Sequence, residues 1–177
     1  MTEPLDPFDW SLLRRMEARV RREFEAAESE AALLAARRRR LADVAWEAAQ
    51  SGKQVSVRVG SRQLAGKPFY ARNDLMSLET ANGRVDVCLP NIDAMTVTQS
   101  RAEGLSVRKD AETFAARIAM LQLTRERIEI VCRGGEARFD GTIEYVARDH
   151  VALAGSRGEV LVALEAIAYL VLRPESR

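Results

Sequence analysis

Four sets of side chains offer chemistry in this chain of 177 residues. His150 is the single histidine, and imidazole is the ordinary general acid or base near neutral pH. No serine or cysteine nucleophile pattern surrounds it, so it reads as a packing or surface residue. Cys88 and Cys132 lack a CxxC partner, which argues against a metal site or a disulfide framework and for small buried hydrophobes. Asp74 and Asp149 precede apolar runs and suit turn aspartates that bond nearby backbone N–H groups. Tyr70 and Tyr145 have the rings to stack bases, yet closing a core accounts for both. No phosphate loop, paired-carboxylate site, metal-ligand set or nucleophile triad is present. The expectation is a protein that is not an enzyme, with no catalytic residues, no cofactor, no metal and no small-molecule substrate.

The basic residues raise a second kind of chemistry. Arg37, Arg38, Arg39 and Arg40 are consecutive, but four neighbours on a helix point about 100° apart and do not form one patch. A solvated face is the plainer reading, and phosphate contact the alternative. Arg58, Arg62, Lys67 and Arg72 offer a basic rim further on. The corresponding later segment keeps Arg133 and Arg138 but adds Glu136, Asp140 and Glu144, so at most one of the two segments would bind an anion. The nucleic-acid candidates are thus Arg37, Arg38, Arg40, Arg58, Arg62, Lys67 and Arg72. Overall charge gives them little support. The 27 basic residues face 26 acidic ones, which leaves no global field for a polyanion. Arginine outnumbers lysine 24 to 3, which a coding bias explains without any ligand.

The elements that must hold these groups come in duplicate. Residues 53–97 align without a gap on residues 128–172 at an offset of 75, with eleven identities in 45 pairs; about three would arise by chance. The identities fall on glycines (Gly60/Gly135, Gly66/Gly141, Gly83/Gly158) and on alternating apolar positions such as Val85/Val160 and Val87/Val162. That alternation is the mark of strands with one buried face. Val55, Val57 and Val59 open the first copy, and Ile128, Ile130 and Cys132 the second. Gly66 and Gly141 lie inside strands, where a missing side chain permits a sharp bend. Each copy reads as a short helix followed by five strands. Asp110 is placed to cap the second helix, whose inner face carries Phe114, Ile118 and Leu121.

Ahead of the repeats, Phe8 to Ser51 contains no glycine or proline and is rich in helix-favouring residues. Asp6-Pro7 suits its start and Ser51-Gly52 its stop. Apolar residues recur at alternating spacings of three and four, as in a coiled-coil seam, with Trp10, Leu13, Val20, Phe24 and Leu34 as the candidate helix interface. Glu17 and Arg38 interrupt the seam. Either the first part projects and pairs with a partner or a second copy, or the segment folds back near Glu28-Ser29-Glu30.

The run from Cys132 to Leu153 resembles the first signature of the Sm-like family, bacterial Hfq included, and Val160 to Ile167 echoes the second. Val55 to Ile92 carries a weaker copy. The resemblance covers about 90 residues and excludes the long helix. It implies a bent five-stranded barrel after a helix, ring assembly through strand edges, and often RNA binding. Where RNA-binding members place a base-contacting asparagine, this chain has Ser77 and Ala152. Where they commonly have Arg-Gly, it has Leu89-Pro90 and Leu164-Glu165. The barrel is supported and the usual ligand is not.

The expected architecture is therefore α+β: a long N-terminal helix followed by two helix-plus-five-stranded Sm-like β-barrels in tandem. Residues 1–35 form the helical extension, 36–98 the first barrel with its leading helix, 99–109 a linker, and 110–177 the second barrel with its helix. The start lacks the basic and apolar regions of a signal peptide, and no stretch reaches the length of a membrane span, which points to a cytoplasmic protein without a membrane partner. The expected function is that of a non-catalytic binding or adaptor protein. Its long helix, or its strand edges, would mediate self-association or docking of a protein partner. An RNA- or DNA-binding regulator is the alternative.

Overall fold

A computed structural model describes residues 10–98, 111–155 and 158–172, with side chains from residue 14 onward in the first of these stretches. The linker expected at 99–109, the Asp6-Pro7 start and the Asp110 cap lie outside the described residues, as do the side chains of Trp10 and Leu13. Helix α1 spans Trp10–Arg38 and α2 spans Leu41–Gln50. The chain passes through Glu28-Ser29-Glu30 as unbroken helix, and the interruption falls at Arg39-Arg40. Arg40 adopts an extended backbone (φ −89°, ψ 159°), and its N–H donates to the Asp43 carboxylate at 2.8 Å. A carboxylate three residues into a helix that reaches back in this way satisfies a donor the helix start leaves over. Helix α2 ends, as the sequence suggests, at Ser51 and at Gly52, whose φ of 63° suits glycine. The chain divides between Arg39 and Arg40 into two compact units.

The second unit holds ten strands and one further helix. In chain order these are β1 (Gln54–Val59), β2 (Arg62–Arg72), β3 (Leu75–Thr80), β4 (Gly83–Cys88), β5 (Ala94–Thr98), α3 (Phe114–Thr124), β6 (Arg127–Cys132), β7 (Arg138–Val146), β8 (His150–Gly155), β9 (Gly158–Ala163) and β10 (Ile167–Leu172). Short 3-10 turns, Leu89–Asn91 and Leu164–Ala166, join β4 to β5 and β9 to β10. Helix α3 starts at Thr113, whose hydroxyl accepts the Ala116 N–H at 3.1 Å.

The α+β character holds, but the two closed five-stranded barrels do not. All ten strands form one open sheet in the order β5-β1-β2-β3-β4-β10-β6-β7-β8-β9, with every neighbouring pair antiparallel. Strand β4 does not turn back on its own repeat. It pairs with β10, from Val87 opposite Tyr169 to Arg84 opposite Leu172. Alternation in sequence states which face of a strand is buried; it does not state which strand takes the free edge. A pair of closed barrels and one continuous sheet are therefore written in the same apolar pattern. The strands of both repeats consequently lie in one sheet and in one compact unit, which begins at Arg40.

The repeat is also not gap-free in three dimensions. Gly66 pairs with Val55, and its counterpart Gly141 pairs with Ile128. The first strand and leading helix are thus offset by 73, whereas the strands from β2 onward keep 75. The difference lies in the first hairpin. Gly60-Ser61 makes a two-residue turn after Val59, whereas Cys132 closes a four-residue turn by donating to the Ala137 carbonyl at 3.0 Å. Arg58/Arg133 and Gly60/Gly135 are identities without structural equivalence.

Both in-strand glycines stand where a neighbouring strand comes close. A Cβ on Gly66 would sit 2.5 Å from the Glu79 carbonyl oxygen, and one on Gly141 2.4 Å from that of Ala154. Two cores result. Ala42, Ala45 and Ala48 of α2 cover Val55, Val57, Met76, Leu78, Val85 and Val87, while Phe114, Ile118 and Leu121 of α3 cover Ile128, Ile130, Ile143, Val151, Leu153 and Leu170. The second core also takes in Tyr70, Leu75 and Cys88 from the first repeat. That sharing couples the two repeats.

Candidate functional site

The junction between the repeats is the most elaborate arrangement of polar side chains in the second unit. Asp86 on β4 is fully buried and sits in a ring of donors. Arg117 of α3 donates to its Oδ2 at 2.6 Å, while Ser77 of β3 and Arg84 donate to Oδ1 at 2.6 Å and 3.0 Å. A buried carboxylate needs such a set because an unpaired charge away from water is strongly destabilising. Asp74 accepts the Phe114 N–H at 2.9 Å and so satisfies one of the free donors at the start of α3. Asn91 donates to the carbonyls of Glu165 (3.0 Å) and Ile167 (2.6 Å) and accepts from Arg133. Every one of these bonds joins one repeat to the other, except those Asp86 receives from Ser77 and Arg84.

The same face on the second repeat lacks a mate. Each residue that the junction buries on the first repeat has a counterpart 75 positions on. Tyr70 is 5% exposed and Tyr145 41%; Asp86 is 0% exposed and Leu161 57%. Cys88 is buried and Ala163 exposed. Asp74 and Asp149 share a main-chain role, since the Asp74 carbonyl accepts from Leu89 and the Asp149 carbonyl from Leu164, both at 2.8 Å. Their side chains diverge. With no helix start before it, the Asp149 carboxylate is 87% exposed and bonds the His150 Nδ1 at 2.7 Å, which holds it below the usual carboxylate range.

On the other side, β5 is the counterpart of β10, and Leu41 at the start of α2 is the counterpart of Phe114. Leu41 is 47% exposed where Phe114 is 4%. Among the described residues, no strand lies beside the outer edges of β5 and β9. Strand β5 carries no charge or proline, and β9 a single charge, Glu159; these are the devices that ordinarily blunt an edge.

Of the candidate nucleic-acid residues, Arg37 and Arg38 belong to the first unit, and Arg40, Arg58, Arg62, Lys67 and Arg72 are spread over the start of α2, β1 and β2 of the second. Arg62 and Arg72 stand at opposite ends of the 11-residue β2. Arg72 pairs with Glu112 at 2.8 Å, and Arg62 donates to the Gly135 carbonyl. Arg58 is exposed on β1, and Lys67 is half-buried in the middle of β2. Arg37 and Arg38 end α1, whereas Arg40 precedes α2, and all three are exposed. A cavity of about 360 Å³ opens beside the junction, with Arg62, Glu129, Arg138 and Tyr169 among its walls. Arg138 is already paired there with Glu129 at 3.1 Å.

His150 is half-buried and meets the Tyr145 ring edge-on, with centroids 6.0 Å apart. Both cysteines are free and buried. Among the described residues, no group of three or more His, Cys, Asp or Glu side chains is placed to hold a metal ion, and no helix is long and apolar enough to cross a membrane. On α1, the candidate interface residues Val20 and Phe24 are each 64% exposed, and Leu34 is 48% exposed.

The Asp86–Arg117 pair, 31 positions apart, is not legible as a pair in the sequence. One signal was present: between Val85 and Val87, β4 carries Asp86 where β9 has the apolar Leu161. No family model matches this chain, and no curated protein does either.

Proposed function

We propose that this chain is a non-catalytic cytoplasmic assembly protein, an adaptor whose second repeat receives the first repeat of another copy. A single observation carries the reading: the face of repeat two that corresponds to the buried junction face of repeat one is exposed. The internal junction supplies the template. Transferred by the repeat offsets, it sets β9 against β5 of a second copy, with Leu161 opposite Met95 and Val162 opposite Ala94. Leu41 of the second copy then takes the place of Phe114 beside Tyr145, and its N–H meets the Asp149 carboxylate. Val44 stands where Arg117 stands internally, so the new junction sets an apolar residue over Leu161 in place of a buried ion pair. Such head-to-tail contacts are heterologous and either close into a ring or propagate as an open chain. Helix α1 supplies a further association surface for this assembly.

The test is sedimentation velocity of the full chain, with Leu161→Arg and Met95→Arg as variants. Oligomers in the parent that fall in both variants to a dimer or a monomer, with unchanged circular dichroism, support the proposal. A parent that stays monomeric at tens of micromolar, or variants of unchanged mass, would overturn it.

A further inference from the structure

Helix α1 carries an apolar stripe and a charge order that together select one partner. The stripe runs through Val20, Phe24, Ala27, Ala31 and Leu34, with Met16 on its flank at 57% exposure and Leu33 off the seam. Every side chain described on this helix is exposed. A helix of 29 residues whose described side chains are all exposed gains little from its own hydrogen bonds, and burial of an apolar stripe is the usual source of its stability. The charges are segregated along its length. Residues 14–22 hold five arginines and one glutamate, 23–30 hold four glutamates, 31–36 are uncharged, and Arg37 and Arg38 close the helix.

We infer that α1 pairs antiparallel with α1 of a second copy, with Val20 of each helix packed against Phe24 of the other. This rests on the reading of the chain as a self-associating protein. Parallel, in-register pairing fails on three counts. It places Glu17 on Glu17 and Arg38 on Arg38 in the seam, and it sets Glu23 beside Glu28 along the flank, twice over. Reversing one helix removes all three. Glu17 then faces the small Ala27 with room to turn its carboxylate to water, and Arg14 stands beside Glu28. The arginine-rich block of each helix lies along the glutamate block of the other. Ala27 and Ala31, which thin the seam, let the two backbones approach closely. Like charges remain only at the midpoint, Arg21 to Arg21 and Glu23 to Glu23. There Arg19 is already paired with Glu23 within its own helix at 2.9 Å.

Spin labels separate the arrangements in the full-length protein, with Cys88→Ala and Cys132→Ala removing the native thiols. A nitroxide at Arg22→Cys lies level with the midpoint of the pair. One at Ala36→Cys lies 14 residues beyond it in each copy, hence about 42 Å apart along the axis. Antiparallel pairing predicts a distance of about 20–25 Å for the first label, the width of two helices, and more than about 40 Å for the second. Short distances at both positions, or no defined distance at either, overturn the inference. Adding Leu161→Arg distinguishes it from sheet-edge assembly. Distances that persist while the larger oligomer is lost place the contact on α1, and distances that vanish with it remove α1 from the assembly. Val20→Glu with Phe24→Glu should abolish both distances; their survival in that variant also refutes the pairing.

Discussion

Replacing Arg117 by methionine removes the guanidinium that donates to Oδ2 of Asp86, a carboxylate with 0% exposure. Breaking a buried ion pair from one side costs about 3–5 kcal/mol, because the remaining charge is left buried without compensation. Here Asp86 keeps two donors, Ser77 at 2.6 Å and Arg84 at 3.0 Å, both on Oδ1. The loss should therefore sit below that range, at about 2–3 kcal/mol. Repeat two has already tried the apolar solution, since Leu161 occupies the position of Asp86. The double variant Asp86→Leu/Arg117→Met removes both charges and replaces them by side chains of similar bulk. It should recover to within about 1 kcal/mol of the parent. The assay is urea unfolding of the four proteins of the cycle, evaluated by linear extrapolation. If Arg117→Met costs under about 1 kcal/mol, or if the double variant loses the full sum of the single losses, the ion pair does not bind the repeats together as argued.

Other perturbations test other parts of the fold. Gly60 has φ +59°, and an added Cβ would lie 1.8 Å from the Gly134 carbonyl oxygen, whereas Gly134 at φ +83° faces open space. Gly60→Ala should cost at least about 2 kcal/mol in the same urea assay, and Gly134→Ala about 1 kcal/mol. Burial, with a lesser contribution from Asp74, pushes the Cys88 thiol from 9.0 up to about 11. The unfolded chain therefore loses this proton first, so stability from this group is intact below pH 9 and falls between about pH 9 and 11. Cys88→Ala should flatten the decline in melting temperature across that window. A fluorescence titration with mixed-sequence RNA is expected to show no binding even at low salt. Tight, steeply salt-dependent binding would restore the nucleic-acid reading and turn attention back to Arg37, Arg38 and Arg40.

Much of the local structure was legible residue by residue. Within the glycine-free run, Trp10–Arg38 and Leu41–Gln50 are helical, Ser51-Gly52 ends the second helix, and the alternating valines and isoleucines are strands with one buried face. Each rests on short-range physics: intrinsic propensity, positive φ at glycine, and the two-residue period of the pleat. The break at Arg39-Arg40 was not legible, because both residues favour helix and only the Asp43 carboxylate, acting on the Arg40 N–H, marks the restart.

The repeat by itself determined that two similar halves exist and which side chains they bury. It was silent on how their edges are joined. An aliphatic side chain at position 85 or 162 is equally well buried in a closed barrel and in a continuous sheet, whereas the choice between β4 closing its own repeat and β4 taking β10 depends on residues 82 to 88 positions apart. Only the tertiary structure decided it, by placing Arg117 over Asp86, Phe114 against Asp74 and Asn91 under the last 3-10 turn. Those three ties lie outside the repeated pattern: Leu161 replaces Asp86, Ala166 replaces Asn91, and Asp149 meets no helix start. One junction is therefore made within the chain, and its counterpart is left open at the surface.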